Sequence, residues 1–168
     1  MTICAYTHIL RFIEIDSCSY MPTTPEKYQQ LNDCTCDLMR KTARSITQFY
    51  DGFLNQAEIK SSQFAILGAL ANTGSITVSE LAKTVSIERT GLTRNLAILE
   101  RNGWVQIQIC AIDSRQRIVS LSKGGYKQLD RAIPYWEQAH EIISSSIEAN
   151  PHAGLLQSIK GIEKVLKQ

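Results

Sequence analysis

The sequence predicts a mainly α-helical fold with one small β-hairpin, an α+β chain, and three observations lead there. Apolar residues recur at helical spacing over most of the 168 residues. Two short helical patterns between Val78 and Asn102 are separated by only a few residues. Directly after them, two stretches of alternating apolar and polar residues flank a polar loop, the pattern of a half-buried hairpin.

Residues 1–21 carry no clear periodicity, and residues 1–25 are expected to be a flexible or optional extension. The run Pro22-Thr23-Thr24-Pro25 reads as a flexible lead-in, with Met21 as a candidate second start and the segment before it as an optional extension. The opening stretch lacks the basic segment and long apolar run of a secretory signal. From Glu26 to about Phe53, Leu31, Leu38, Ile46, Phe49 and Phe53 mark a helix. Ser61 and Ser62 offer an N-cap to QFAILGALAN, a nearly all-apolar helix that must be buried, and Asn72-Thr73-Gly74 ends it.

Local signals are sharpest in the next segment. Thr77 and Glu80 have the spacing of a capping box, with Ile76 and Leu81 as its hydrophobic staple, so a helix starts at Val78. Ser86 falls in a tight turn, and a second helix runs from about Arg89 to Asn102, closed by Gly103 at the C′ position. Two short helices so joined are a helix-turn-helix. In the second, Leu92, Leu96 and Leu99 form the buried stripe, and Arg89, Thr90, Thr93, Arg94, Ala97 and Arg101 take the other side. Val105, Ile107 and Ile109 then alternate with Gln106 and Gln108 in a half-buried strand. A polar loop over residues 111–116 leads to a strand from Arg117 to Leu121, and the three parts make a wing. Ser122 caps a long helix to about Ile147, with Leu129, Ile133, Trp136 and Ile143 on its apolar side and a kink expected at Pro134. Asn150-Pro151 breaks it before a last amphipathic helix from Ala153 to Leu166.

Composition excludes several classes. Hydrophobic residues make up 43% and charged residues 20%, an ordinary core-forming balance. No apolar run approaches the roughly 20 residues of a membrane span, so the expected compartment is the cytoplasm and no membrane partner is expected. Five cysteines, an odd number without zinc-site spacing, argue against a disulfide framework or a structural metal. His8, His140 and His152 lack catalytic neighbours, and there is no phosphate loop or nucleophile elbow, so neither enzymatic activity nor a cofactor is expected. The net charge of +2 is unevenly placed. Between Lys83 and Lys127 eight basic residues face three acids, while the remainder of the chain is acidic. That is the distribution of a local phosphate-binding surface.

A helix fits the major groove of DNA when short polar or basic side chains line its outer face. Arg89, Thr90, Thr93, Arg94 and Asn95 are the candidate contacts on the second helix, with Arg94 long enough to reach guanine edges. Asp113, Arg115 and Arg117 are the candidates in the wing: Asp113 and Arg115 could pair and stiffen the loop, and an arginine could reach the adjacent minor groove or backbone. The alternative for the whole arrangement is a winged helix used only for protein contacts.

From about Glu26 to its end the chain resembles the MarR family of regulators. The resemblance is carried by LTRNLAILERNGWV, the Asp-x-Arg of the wing (Asp113, Arg115) and the LSKGG opening of the next helix. It implies a homodimer with interlocked N- and C-terminal helices and two winged lobes reading a pseudo-palindromic site in double-stranded DNA. The resulting division is residues 26–60 as dimerisation helix and linker, 61–122 as the DNA-binding lobe and 123–168 as further dimerisation helices. Members usually repress nearby genes and release DNA on meeting a small aromatic ligand or an oxidant. Cys36 lies fourteen residues before Tyr50, a spacing similar to that of the organic hydroperoxide branch, although Arg40 stands where that branch usually has a second tyrosine. Cys36 and Cys34 are therefore candidate redox sensors, their other reading being small residues packing a helix crossing. Phe49, Phe53 and Phe64, with Tyr135 and Trp136, are candidates for lining an effector pocket, and equally plausible as core.

Overall fold

The computed structural model describes residues 34–110 and 113–146, together with Tyr28, Gly154 and Ile159. The chain divides into two compact units, Met1–Arg40 and Lys41–Gln168. In the first, Tyr28 is helical and helix α1 (Thr35–Leu54) begins. The rest of the expected first helix, the wing-loop residues 111 and 112, and the expected last helix lie outside the described residues, apart from helical Gly154 and Ile159.

In the second unit a 3₁₀ turn (Asn55–Ala57) follows α1, and α2 (Ser61–Thr73) is the buried helix foreseen from its apolar run. Its cap differs from expectation. Lys60 is the N-cap residue, with its N–H donating to Gln63 Oε1 at 3.0 Å, and Ser61 N–H donates to Asp51 Oδ1 at 2.6 Å. A carboxylate from the preceding helix satisfies the orphan donor better than a neutral hydroxyl, because a charged acceptor strengthens the bond and complements the helix dipole. Strand β1 (Ile76–Thr77) follows, then α3 (Val78–Thr84), α4 (Arg89–Arg101), β2 (Val105–Ile109), β3 (Arg117–Leu121) and α5 (Lys123–Ser146). The sheet is antiparallel in the order β1-β3-β2, with Ile76 opposite Val119, Ile107 opposite Val119 and Ile109 opposite Arg117.

The capping box at α3 is formed. Glu80 N–H donates to Thr77 Oγ1 at 3.2 Å and Thr77 N–H to Glu80 Oε2 at 3.0 Å. The hydrogen bonds from the Thr77 side chain and backbone hold the Glu80 carboxyl below the usual carboxylate range. Both helices of the pair end in the same device. At α3, Ile87 N–H bonds Ala82 O and Ser86 N–H bonds Lys83 O, with Ser86 left-handed at φ 51°. At α4, Trp104 N–H bonds Leu99 O and Gly103 N–H bonds Glu100 O, with Gly103 at φ 72°. These are Schellman closures, and they fix the angle at which the chain enters and leaves α4.

Leu92, Leu96 and Leu99 of α4 join Leu54, Ile66, Leu67, Leu70, Leu81, Val105 and Val119 in one core. Each such buried leucine stabilises by about 1.5–3 kcal/mol, which is what holds a helix whose remaining residues are polar. Gln128 of α5, itself buried, donates to Ala57 O, and Arg131 pairs with Glu58 at 3.2 Å. Helix α5 runs on as one element through Pro134.

Candidate nucleic-acid interface

Because its three leucines face inward, α4 turns Thr90, Arg94, Ala97 and Arg101 to solvent. Arg89 and Thr93 are exposed on the flank nearer the wing. The Thr93 hydroxyl donates to Arg89 O at 2.8 Å. Asn95 sits elsewhere. It is half-buried, donating to Gly91 O at 3.0 Å and accepting from Ser62 Oγ at 3.5 Å. Its amide is occupied in joining α4 to α2.

The wing begins where Trp104 O accepts Ser122 N–H at 3.0 Å, and it narrows to a turn in which Asp113 O accepts Gln116 N–H at 2.9 Å. Asp113 also takes the Arg115 backbone N–H on Oδ1 and Gln116 Nε2 on Oδ2, each at 3.0 Å. It stiffens the loop as expected, through the main chain of Arg115 and not through its guanidinium. Both Arg115 and Arg117 are exposed, and among the described residues no carboxylate pairs with them or with Arg89, Arg94 or Arg101. Ile109, expected to be half-buried, is 61% exposed. Burial falls outward along β2, from Val105 to Ile107 to Ile109, as the strand leaves the core.

Between α4 and the wing lies a cleft of about 430 Å³. Arg89, Thr93, Leu96, Ala97 and Glu100 form one wall, Ile107, Arg115, Gln116 and Arg117 the other, and Thr77–Ser79 at the start of α3 close one end. Three arginines against the single carboxylate of Glu100 make it cationic, and it opens beside the exposed face of α4.

Phe49 and Phe53 contact each other at 5.2 Å, while Phe64 stacks on Trp136 at 6.0 Å. Trp136 in turn stacks on His140 with ring centroids 4.9 Å apart, and the Tyr50 hydroxyl lies 3.3 Å from His140 Nδ1. Burial raises the Tyr50 pKa. The aromatics thus form a continuous run over α1, α5 and α2 in which His140 is the central link. The sequence marks His140 only as a histidine without catalytic neighbours; its i+4 spacing from Trp136 is the signal for this stacking. The cationic cleft is not lined by these rings. Cys34 and Cys36 are exposed free thiols at the start of α1, where Cys34 O accepts Leu38 N–H.

Residues 59–116 match the model of the MarR family. An uncharacterised HTH-type transcriptional regulator of Bacillus cereus is 30% identical over 97 residues, which are 58% of this chain and 63% of that protein. The chain therefore spans under two thirds of that relative. The transcriptional repressor NicR of Pseudomonas putida is 26% identical over 123 residues, covering 73% of this chain and 78% of its own. Among solved structures, the M. tuberculosis transcriptional regulator MosR in complex with DNA is 30% identical with a TM-score of 0.71, covering 80% of this chain and 97% of that one.

Proposed function

We propose that this chain, which belongs to the MarR family, is a homodimeric, sequence-specific DNA-binding transcriptional regulator acting as a repressor. The observation that carries this reading is the cationic cleft beside an exposed polar helix face. With α4 in a major groove, the neighbouring sugar–phosphate ridge would enter the cleft, between Arg89 on one wall and Arg115 and Arg117 on the other. Thr90, Thr93 and Arg94 would meet base edges, and the wing would reach the next minor groove. MosR was solved with DNA and NicR is a repressor, which supports both parts. Fluorescence anisotropy on DNA from upstream of the gene is the test. Affinity must fall steeply as salt rises. Arg115→Ala is expected to weaken binding to all sequences by a similar factor and to flatten the salt slope by about one per wing contact. A changed sequence preference instead would assign the wing to base or groove-shape reading. No binding to any duplex would favour a protein-contact module.

Residues 61–122 would be the reading lobe, with 26–60 and 123–168 serving dimerisation. Leu38, Met39 and Ile46 of α1 and Ile142 of α5 are exposed apolar side chains, and a second protomer is what would cover them. The relatives are transcriptional regulators, and no helix among the described residues could cross a membrane. A non-enzymatic role in the cytoplasm follows from the proposal.

Release would come from oxidation or from a small aromatic effector. Cys34 and Cys36 are two exposed thiols two residues apart. A peroxide would oxidise one thiolate to a sulfenic acid, itself being reduced to an alcohol or water, and condensation with the second thiol would give a disulfide with loss of water. DNA binding lost on mild oxidation and restored by a thiol reductant, with the loss absent in Cys36→Ser, is the expected result. Binding indifferent to oxidant would leave the aromatic run of Phe49, Phe53 and Phe64 as the place for an effector.

A further inference from the structure

Ile109 is the outermost apolar side chain of β2, 61% exposed at its far end from the core. A lone exposed isoleucine is ordinary on a protein surface, but the position of this one is not. Side chains two apart on a strand share a face, and directly paired residues do too. Ile107 lines the cationic cleft, and so does Arg117, the cross-strand partner of Ile109. The wing face that presents arginines to a polyanion therefore also presents a bare alkyl group. Phosphate gives such a group nothing, whereas the apolar part of the same ligand would cover it. In duplex DNA that part is the deoxyribose wall and the base edges of the groove floor.

We propose that Ile109, on the DNA-binding function inferred above, packs into the minor groove beside each half-site and confers a preference for A·T pairs there. With α4 in the major groove, the groove next to it is the minor one. Its floor shows only acceptors at A·T pairs, whereas guanine adds an amino donor at N2. An alkyl group pressed over that donor strips its water and offers no acceptor in exchange. Apolar wing contact and A·T preference thus come from one side chain. Arg115 and Arg117 hold the wing down through phosphates, which makes their contribution salt-dependent; that of Ile109 is not.

Full-length protein is used to enrich binding duplexes from a random pool, and affinity is then measured on the enriched duplex. A second duplex carries 2,6-diaminopurine for adenine in the flanks, adding the minor-groove amino group. The wild type is expected to lose about tenfold on the substituted DNA. Ile109→Ala is expected to bind the enriched duplex about tenfold more weakly, with an unchanged salt slope and less than a twofold further loss on substitution. Ile109→Leu should keep the discrimination. Unaltered cooperative melting of both variants would confirm that the fold is intact. If Ile109→Ala matches the wild type in affinity and in the diaminopurine penalty, Ile109 is no contact, while the DNA-binding function stands. If the wild type enriches no duplex at all, both fall.

Discussion

Replacing Arg94 by alanine is expected to abolish sequence-specific DNA binding while leaving the fold and the proposed dimer intact. Arg94 is exposed on α4, one turn from Thr90, and among the described residues no carboxylate neutralises it. Nothing in the core depends on it, so its removal should leave the melting temperature nearly unchanged. A bidentate contact to guanine contributes about 1–3 kcal/mol of discrimination, and the homodimer proposed above would make it twice. The expected loss is therefore about 2–6 kcal/mol, from roughly 30-fold to 10⁴-fold at 1.4 kcal/mol per decade. Arg94→Lys separates charge from geometry: it keeps the phosphate attraction but not the planar fork, so it should retain non-specific binding and lose most of the discrimination. The readout is anisotropy against specific and scrambled duplexes, with size-exclusion chromatography reporting the dimer. Normal operator binding by Arg94→Ala would mean that α4 does not read the groove through this residue.

Legibility followed the range of the interaction. The Thr77–Glu80 box, the closure at Gly103 and the Leu92, Leu96 and Leu99 stripe are set by residues within two turns of one another, and all were readable from spacing. Asp113 was singled out for the wing, but its pairing with the Arg115 backbone depends on turn geometry that residue types alone do not reveal. What escaped was set by distant chain. Asn95 lies beside the exposed face of α4 in a helical projection, yet Ser62 of α2 engages it from thirty-three residues away. Asp51 caps a helix whose own serines looked sufficient. The alternation of β2 placed Ile109 on the inward side correctly, but whether any core remains to cover that side at the strand's far end is a question of extent. His140 needed α1 and α2 beside it before its role in the aromatic run could be seen.

The largest effect on stability is expected from a single methyl group at Gly125. This residue opens α5, where Ser122 Oγ accepts its N–H at 3.0 Å and also donates to Gly103 O at 2.6 Å. The start of α5 is thereby clamped against the turn that closes α4. A Cβ at Gly125 would be driven into the Trp104 carbonyl oxygen and would lie 2.7 Å from Leu121 Cδ1. The Leu121 methyl, at the end of a side chain, can turn aside, but the Trp104 carbonyl cannot yield cheaply, since it is backbone and accepts Ser122 N–H. Overpacking of this kind costs about 1–3 kcal/mol and occasionally more, and a backbone obstacle places Gly125→Ala at about 3 kcal/mol. For a chain of this size the melting temperature should fall by about 6–12 °C. Gly124→Ala is the control: its Cβ would meet Gly103 O at 3.0 Å, so a smaller loss is expected. Thermal unfolding of both variants beside the wild type is the measurement. A Gly125→Ala protein melting with the wild type would show that α5 can slide from the seam, and that the wing is not fixed by it. The expected loss would instead mark this seam as the joint that sets the wing at its distance from α4, and so the width of the cleft between them.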